Sequence, residues 1–142
     1  MASVSDLLDS KGTAIFAVGP DDPVLEAIKA MAERHVGALL VMKAGELVGI
    51  VSERDYARKV ILLGRSSSDT PVSQIMSFPV HTVSPKRSVA DCMRLMTERR
   101  VRHLPVVENG RVIGVISIGD LVKALIEDQR QTIEQLEDYI HR

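Results

Sequence analysis

Two short stretches hold residues whose types and spacing could do chemistry. "IVSERDY" (Ile50–Tyr56) and "VISIGDL" (Val115–Leu121) each end an apolar run in Ser, skip two residues and place an Asp, and Ser117 follows Ser52 by 65 positions. As local structure, Ser-x-x-Asp is a capping box: Ser takes the helix N-cap, and Asp bonds back to the N-cap amide and complements the helix dipole. As a binding device, the same residues meet a ligand. A helix N-terminus offers N–H groups to phosphate, and a carboxylate accepts both hydroxyls of a ribose through charge-assisted bonds. Capping and binding can coexist. The two copies differ nearby: Arg54 stands where the second has Gly119, and Gly37-Ala38 where it has Arg102-His103. Arg suits forked phosphate contacts and His adds pH dependence, although Arg99, Arg100 and Arg102 also read as a solvated basic helix end.

The other reactive residues read as structure. Cys92 falls on an apolar helical stripe and is a packed thiol. His35, His81, His103 and His141 have no metal-ligand spacing, and neither a P-loop nor a dinucleotide glycine fingerprint occurs. No activated nucleophile or acid/base pair can be assembled, so the sequence predicts no enzyme and no metal.

A duplicated element order positions the two Asp residues. Shifted by 65, residues 16–61 lie over 81–126 without a gap, with identities that include Pro20/Pro85, Met31/Met96, Leu39/Leu104, Gly45/Gly110, Gly49/Gly114, Ser52/Ser117 and Asp55/Asp120. Each copy reads as β-α-β-β-α. A short strand ends at Val18 or Val83. The first helix opens with Asp22-Pro23 as N-cap and first turn in copy one, and with a Ser88-x-x-Asp91 capping box in copy two. Val89, Cys92, Met93 and Met96 mark its buried face. Two strands follow around the tight turns Ala44-Gly45 and Asn109-Gly110, and Ser52 or Ser117 begins the second helix. The predicted fold class is α/β (α+β), two pseudo-symmetric domains packed through their sheets. Their bounds are 11–64 and 80–126, with a linker at 65–79 that forms a loop with a helical turn, and a C-terminal amphipathic helix at 127–142.

Composition narrows the function classes. With 142 residues and 45% hydrophobic content, the chain can bury a core. A net charge of -1 from 18 basic and 19 acidic residues argues against a nucleic-acid binder, and two Phe, two Tyr and no Trp leave little for base stacking. No apolar run approaches the roughly 20 residues that span a bilayer, and "MASVSDLLDSKG" does not read as a signal peptide. A single Cys fits a reducing cytoplasm.

Together "GELVGIVSERD", "GRVIGVISIGD", "HLPVV" and "VSPKRSVADCMRLM" resemble a tandem of CBS (cystathionine-β-synthase-like) domains over Lys11 to Ile126. The resemblance implies a regulatory, signal-transducing module with clefts that bind adenine nucleotides: AMP first, otherwise ADP, ATP, NAD or S-adenosylmethionine. It implies a homodimer, sensing of energy or nucleotide status, and a regulated partner protein. Carried over, Asp55 and Asp120 contact ribose, and Ser52 and Ser117 contact ribose or phosphate, with Arg54 and Gly119 beside them. The adenine slot falls to Gly37, Ala38 and Leu39 in copy one and Arg102, His103, Leu104 and Pro105 in copy two. Thr13, Ala14, Ile15 and Pro79, Val80, His81 form its other wall. Singly, the aliphatics also read as sheet core. The alternative function is a structural adaptor that binds a protein and no nucleotide.

The tail "IEDQRQTIEQLEDYIHR" places Ile126, Ile133 and Ile140 seven residues apart with Leu136 between the last two, a heptad-like stripe suited to a dimer contact.

Overall fold

A computed structural model describes residues 2–141. The chain divides into two compact units, one formed by Ile15–His81 and the other by the residues up to Ala14 together with those from Thr82 onward.

In the first unit, β1 (Ala17–Val18) lies parallel to β2 (Ala38–Lys43), which pairs antiparallel with β3 (Glu46–Ser52). The β2–β3 turn puts Ala44 at φ 51° and Gly45 at φ 81°, the left-handed pair that a two-residue hairpin requires. Helix α2 (Val24–Arg34) buries Val24, Ala27 and Met31 against Leu39, Val41 and Val51. Its N-cap is Pro23, with no side-chain cap bond. Asp22, expected to cap this helix, instead accepts the Gly19 amide at 2.8 Å and closes the turn before it. Helix α3 (Glu53–Tyr56) passes directly into a π-helical turn, Ala57–Ile61.

The second unit opens with an element that the sequence reading did not foresee. Helix α1 (Val4–Lys11) is capped by a Ser3–Asp6 box and buries Val4, Leu7 and Leu8 in the core of the second repeat. Helix α4 (Val89–Arg99) starts at Ser88, whose hydroxyl accepts the Asp91 amide at 3.0 Å. Its box is only half made, because the Asp91 carboxylate turns to Arg94 at 3.3 Å. The strands β4 (His103–Glu108) and β5 (Arg111–Ser117) repeat the β2–β3 register, down to a bulge at the same place. Helix α5 (Ile118–Ile140) runs unbroken through the position where a separate tail was expected to begin.

The first strand of the second repeat shrinks to one bridge, Val83 to Val106. The cause is Pro105. In the first repeat, Leu40 donates its amide to Phe16 O at 3.2 Å. Pro105 holds the matching position and has no N–H, so that rung cannot form.

A lead-in segment docks on each unit in the same way. Val72 donates to Asp22 O and Ser73 to Pro20 O, while Val4 donates to Arg87 O and Ser5 to Pro85 O. The first lead-in is a single 3-10 turn, Val72–Gln74, with Val72 and Ile75 fully buried. Close approach explains Gly49 and Gly114. A Cβ on Gly49 would stand 2.5 Å from Met76 Sδ, and one on Gly114 would stand 2.6 Å from Leu8 Cδ2.

Candidate functional site

Both Ser-x-x-Asp stretches form the expected caps. Asp55 Oδ2 accepts the Ser52 amide and hydroxyl, each at 3.0 Å, and the Asp55 amide returns a bond to Ser52 Oγ at 3.2 Å. Asp120 Oδ2 accepts the Ser117 amide at 2.8 Å, and the Asp120 amide donates to Ser117 Oγ at 3.2 Å. The first helical amide is also taken in both copies: Glu53 donates to Gly37 O at 3.0 Å, and Ile118 to Arg102 O at 2.8 Å. Four orphan amides normally open a helix. Among the described residues, the amides of Arg54 and Gly119 are left with no protein partner at these two ends. Gly119 meets nothing nearer than Ser117 Oγ, 3.7 Å from an added Cβ, so neither packing nor backbone geometry forces glycine there. Its effect is to leave this amide uncovered by a side chain.

In each unit these caps sit beside a backbone edge named for the adenine slot. Ala38 pairs with Ser52 and Leu39 with Val51, just as His103 pairs with Ser117 and Leu104 with Ile116. Leu39 and Leu104 are 2% and 0% exposed, and Pro105 is buried as well, so their side chains are withdrawn from the surface. Arg102, Gly119 and Arg54 are exposed, and Ala38, His103, Ser52 and Ser117 half-buried. Of the other wall, Ile15, Pro79, Val80 and His81 belong to the first unit and Thr13 and Ala14 to the second. Thr13, Ala14, Ile15 and Pro79 are exposed, while Val80 and His81 are half-buried. Cys92 is fully buried, and burial pushes its thiol up, as expected of a packed residue.

Three residues that sequence reasoning missed complete the carboxylate surroundings. Lys11 Nζ lies 2.8 Å from Asp120 Oδ2 and 2.6 Å from Val115 O. Lys59 Nζ lies 3.3 Å from Asp55 Oδ1 and 2.9 Å from Ile75 O. Ser77 Oγ reaches Asp55 Oδ1 at 3.5 Å. Lys59 stands four residues after Asp55 on one helical turn, a spacing that could have been read from the sequence; Lys11 carries no comparable local signal. Burial works against ionising Asp120, but hydrogen bonds from Lys11 and Ser117 outweigh it and hold the carboxyl below its usual range. Burial pushes His103 down, opposed by the charge of Asp120 and reinforced by Lys11 and Arg102.

The family model of the CBS domain matches residues 4–61 and 72–127. The chain belongs to the CBS-domain family. The CBS domain-containing protein CBSX3, mitochondrial, of Arabidopsis thaliana is 42% identical over 97% of this chain and 71% of its own length. A candidate signal-transduction protein with CBS domains from Burkholderia ambifaria MC40-6 superposes with a TM-score of 0.88 at 52% identity, covering 90% of this chain and 96% of that one. The CBS domain pair of protein MJ0100, solved with 5′-methylthioadenosine and S-adenosyl-L-methionine, has a TM-score of 0.80 at 22% identity, covering 90% of this chain and 98% of that one. It shares the fold. The tandem CBS pair is a regulatory module, and the mixed α/β architecture expected from the repeat is the one observed.

Proposed function

We propose that this CBS pair is a nucleotide sensor that takes an adenine nucleotide at its Ser-x-x-Asp strand ends and reports energy or nucleotide status to a partner protein. AMP is the first candidate, with ADP, ATP and NAD behind it. One observation carries the reading. In each repeat the cap fixes an Asp carboxylate beside an unpartnered helix amide and the start of the middle strand, which together match a ribose diol, a phosphate and a flat base. The adenosine ligands of the MJ0100 pair support the choice of ligand class. Ribose falls to Asp55 and Asp120, phosphate to Ser52, Ser117 and Arg54 or Arg102. Nothing in this chemistry calls for catalysis, and the module acts by binding. The two sites are not equivalent: both oxygens of Asp55 have donors, whereas Asp120 Oδ1 has none among the described residues. The buried, lone Cys92 fits a reducing compartment such as the cytoplasm, and the mitochondrial name of one relative makes fractionation of the native protein the deciding measurement.

The test is a thermal-shift panel of AMP, ADP, ATP, NAD and S-adenosylmethionine on the parent, Asp120→Asn and Asp55→Asn. A ligand at one hundred times its Kd stabilises by about 2.7 kcal/mol, which raises the midpoint of a chain this size by several degrees. Ser117 remains the N-cap, the Asn amide oxygen can still accept the Ser117 amide, and the partly exposed Lys11 pair contributes little, so the ligand-free midpoint of Asp120→Asn should stay near that of the parent. Affinity should fall about ten- to hundredfold, the worth of a hydrogen bond to a charged group. A parent that responds to no nucleotide is an adaptor. Parent-like binding by both variants reduces Ser-x-x-Asp to a cap.

A further inference from the structure

Each Ser-x-x-Asp carboxylate carries a lysine ammonium, and the two lysines occupy positions that the repeat does not relate. At Asp55 the lysine comes from the unit's own helix, four residues on and inside the π-helical turn Ala57–Ile61. Turns of this kind are rare and occur often at functional sites. The matching residue of the second repeat is Ala124, on a regular helix. That repeat takes its ammonium from Lys11, on α1, a residue 109 positions from Asp120. In both units the ammonium bridges the carboxylate and a main-chain carbonyl, Ile75 O or Val115 O. Inheritance of a duplicated fold does not place a lysine at two unrelated positions. Stability is the weaker account, because ion pairs open to water contribute little and the Lys59 and Lys11 side chains are 42% and 36% exposed, against 14% and 23% for their carboxylates. What the two arrangements share is the charge beside the carboxylate.

We propose that Lys11 is the residue that sets the ligand charge accepted at the second-repeat site, making it select a phosphate-bearing adenosine ligand over a neutral or cationic one. The inference rests on the proposed function. A bare Asp120 would repel phosphate and attract a sulfonium. Lys11, 2.8 Å away, cancels that charge, and the exposed Arg102, just ahead of the adjoining strand, tips the balance to positive. An ammonium has three protons. Asp120 and Val115 take two, and the third serves a phosphate oxygen. The flexible stem of lysine lets the ammonium follow the ligand.

The test is calorimetric titration with AMP, 5′-methylthioadenosine and S-adenosylmethionine, which are anionic, uncharged at the 5′ position and cationic there. It uses the full chain in an Asp55→Asn background, so that the second-repeat site dominates, with and without Lys11→Met and Lys11→Arg. Without a Lys11 change, AMP should be preferred, and its affinity should fall with added salt while that of methylthioadenosine stays level. Lys11→Met should lose about ten- to hundredfold in AMP affinity and less than about threefold for methylthioadenosine. Lys11→Arg should keep the preference. An AMP-to-methylthioadenosine ratio unchanged in Lys11→Met overturns the inference, including the case in which both affinities fall together, as a merely structural role would cause. If Lys11→Met does not fold, Lys11→Gln and the salt series decide in the same terms. Binding of none of the three by the unsubstituted chain overturns this inference, and failure to bind ADP, ATP and NAD as well overturns the proposed function.

Discussion

At the scale of single residues, the second-repeat carboxylate is the better-defined group, and His103 is its titratable neighbour. Burial, Lys11 and Arg102 lower the His103 pKa in the folded chain against the single opposing charge of Asp120. The unfolded chain therefore binds a proton near pH 6.5, the ordinary histidine value, where the folded chain still resists it. The stability that His103 contributes is fully present above about pH 6.5 and is lost as the pH falls through that value toward the folded pKa. The loss is bounded at about 1.4 kcal/mol per pH unit for one proton. Chemical denaturation of the parent and His103→Gln at pH 7.5 and 5.5 checks this. The parent should lose more stability across the interval than the variant. Equal losses would show that His103 does not carry the acid sensitivity. The caps around Ser52 and Ser117 were legible because a capping box is written in four consecutive residues. The ammonium of Lys11 was not, because its contact spans more than a hundred residues and a lone lysine before a glycine carries no local signal.

At the scale of elements, strand order, hairpins and helix faces followed from periodicity and turn residues, and the departures have local causes. Pro105 truncates the first strand of the second repeat by removing one donor. Asp22 was drawn to the Gly19 amide, so it does not cap α2. Helix α1 escaped because it lies outside the duplicated span, yet it supplies core to the second repeat from the far end of the chain. Its weight can be measured. Leu8 is 5% exposed and packs over Gly114. Truncation to Ala removes that packing and leaves a cavity, at a cost of about 2–4 kcal/mol. Leu8→Ala should lower the unfolding midpoint by several degrees in the absence of ligand, whereas Asp9→Ala, on an exposed position of the same helix, should leave it within about a degree. A Leu8→Ala chain as stable as the parent would make α1 an ornament, not part of the core.

At the scale of the molecule, most of the large apolar side chains left uncovered lie on helices or just after them. In the first unit Ile61, Leu62 and Leu63 are exposed in sequence beside a shallow groove lined by Ile28, Met31, Ala32, Tyr56 and Ala57. On α5, Val122, Ile126, Ile133, Leu136 and Ile140 are exposed. With Gln129 between Ile126 and Ile133, these positions alternate four and three apart, the spacing of a coiled-coil seam with one polar residue in it. Three isoleucines more than half exposed on one helix face are a poor arrangement for a monomer. Acidic Glu127, Glu134 and Glu137 flank the seam, and Arg130 bonds two of them within its own helix at 2.6 and 2.8 Å, which keeps these charges paired before any partner arrives. The homodimer expected from the sequence would cover this face, because closed two-fold pairs use the same patch on both partners. The stripe from Val122 to Ile140 extends about 28 Å at 1.5 Å per residue, long enough for a short two-helix contact. Light scattering at micromolar concentration should therefore give twice the 15.6 kDa chain mass for the parent. Ile133→Glu puts a charge in the middle of the seam without touching either core, so it should give the single-chain mass with an unchanged far-ultraviolet spectrum. A parent that scatters as one chain, or an Ile133→Glu variant that stays paired, would move the interface off α5 and leave the Ile61–Leu63 surface as the place to look.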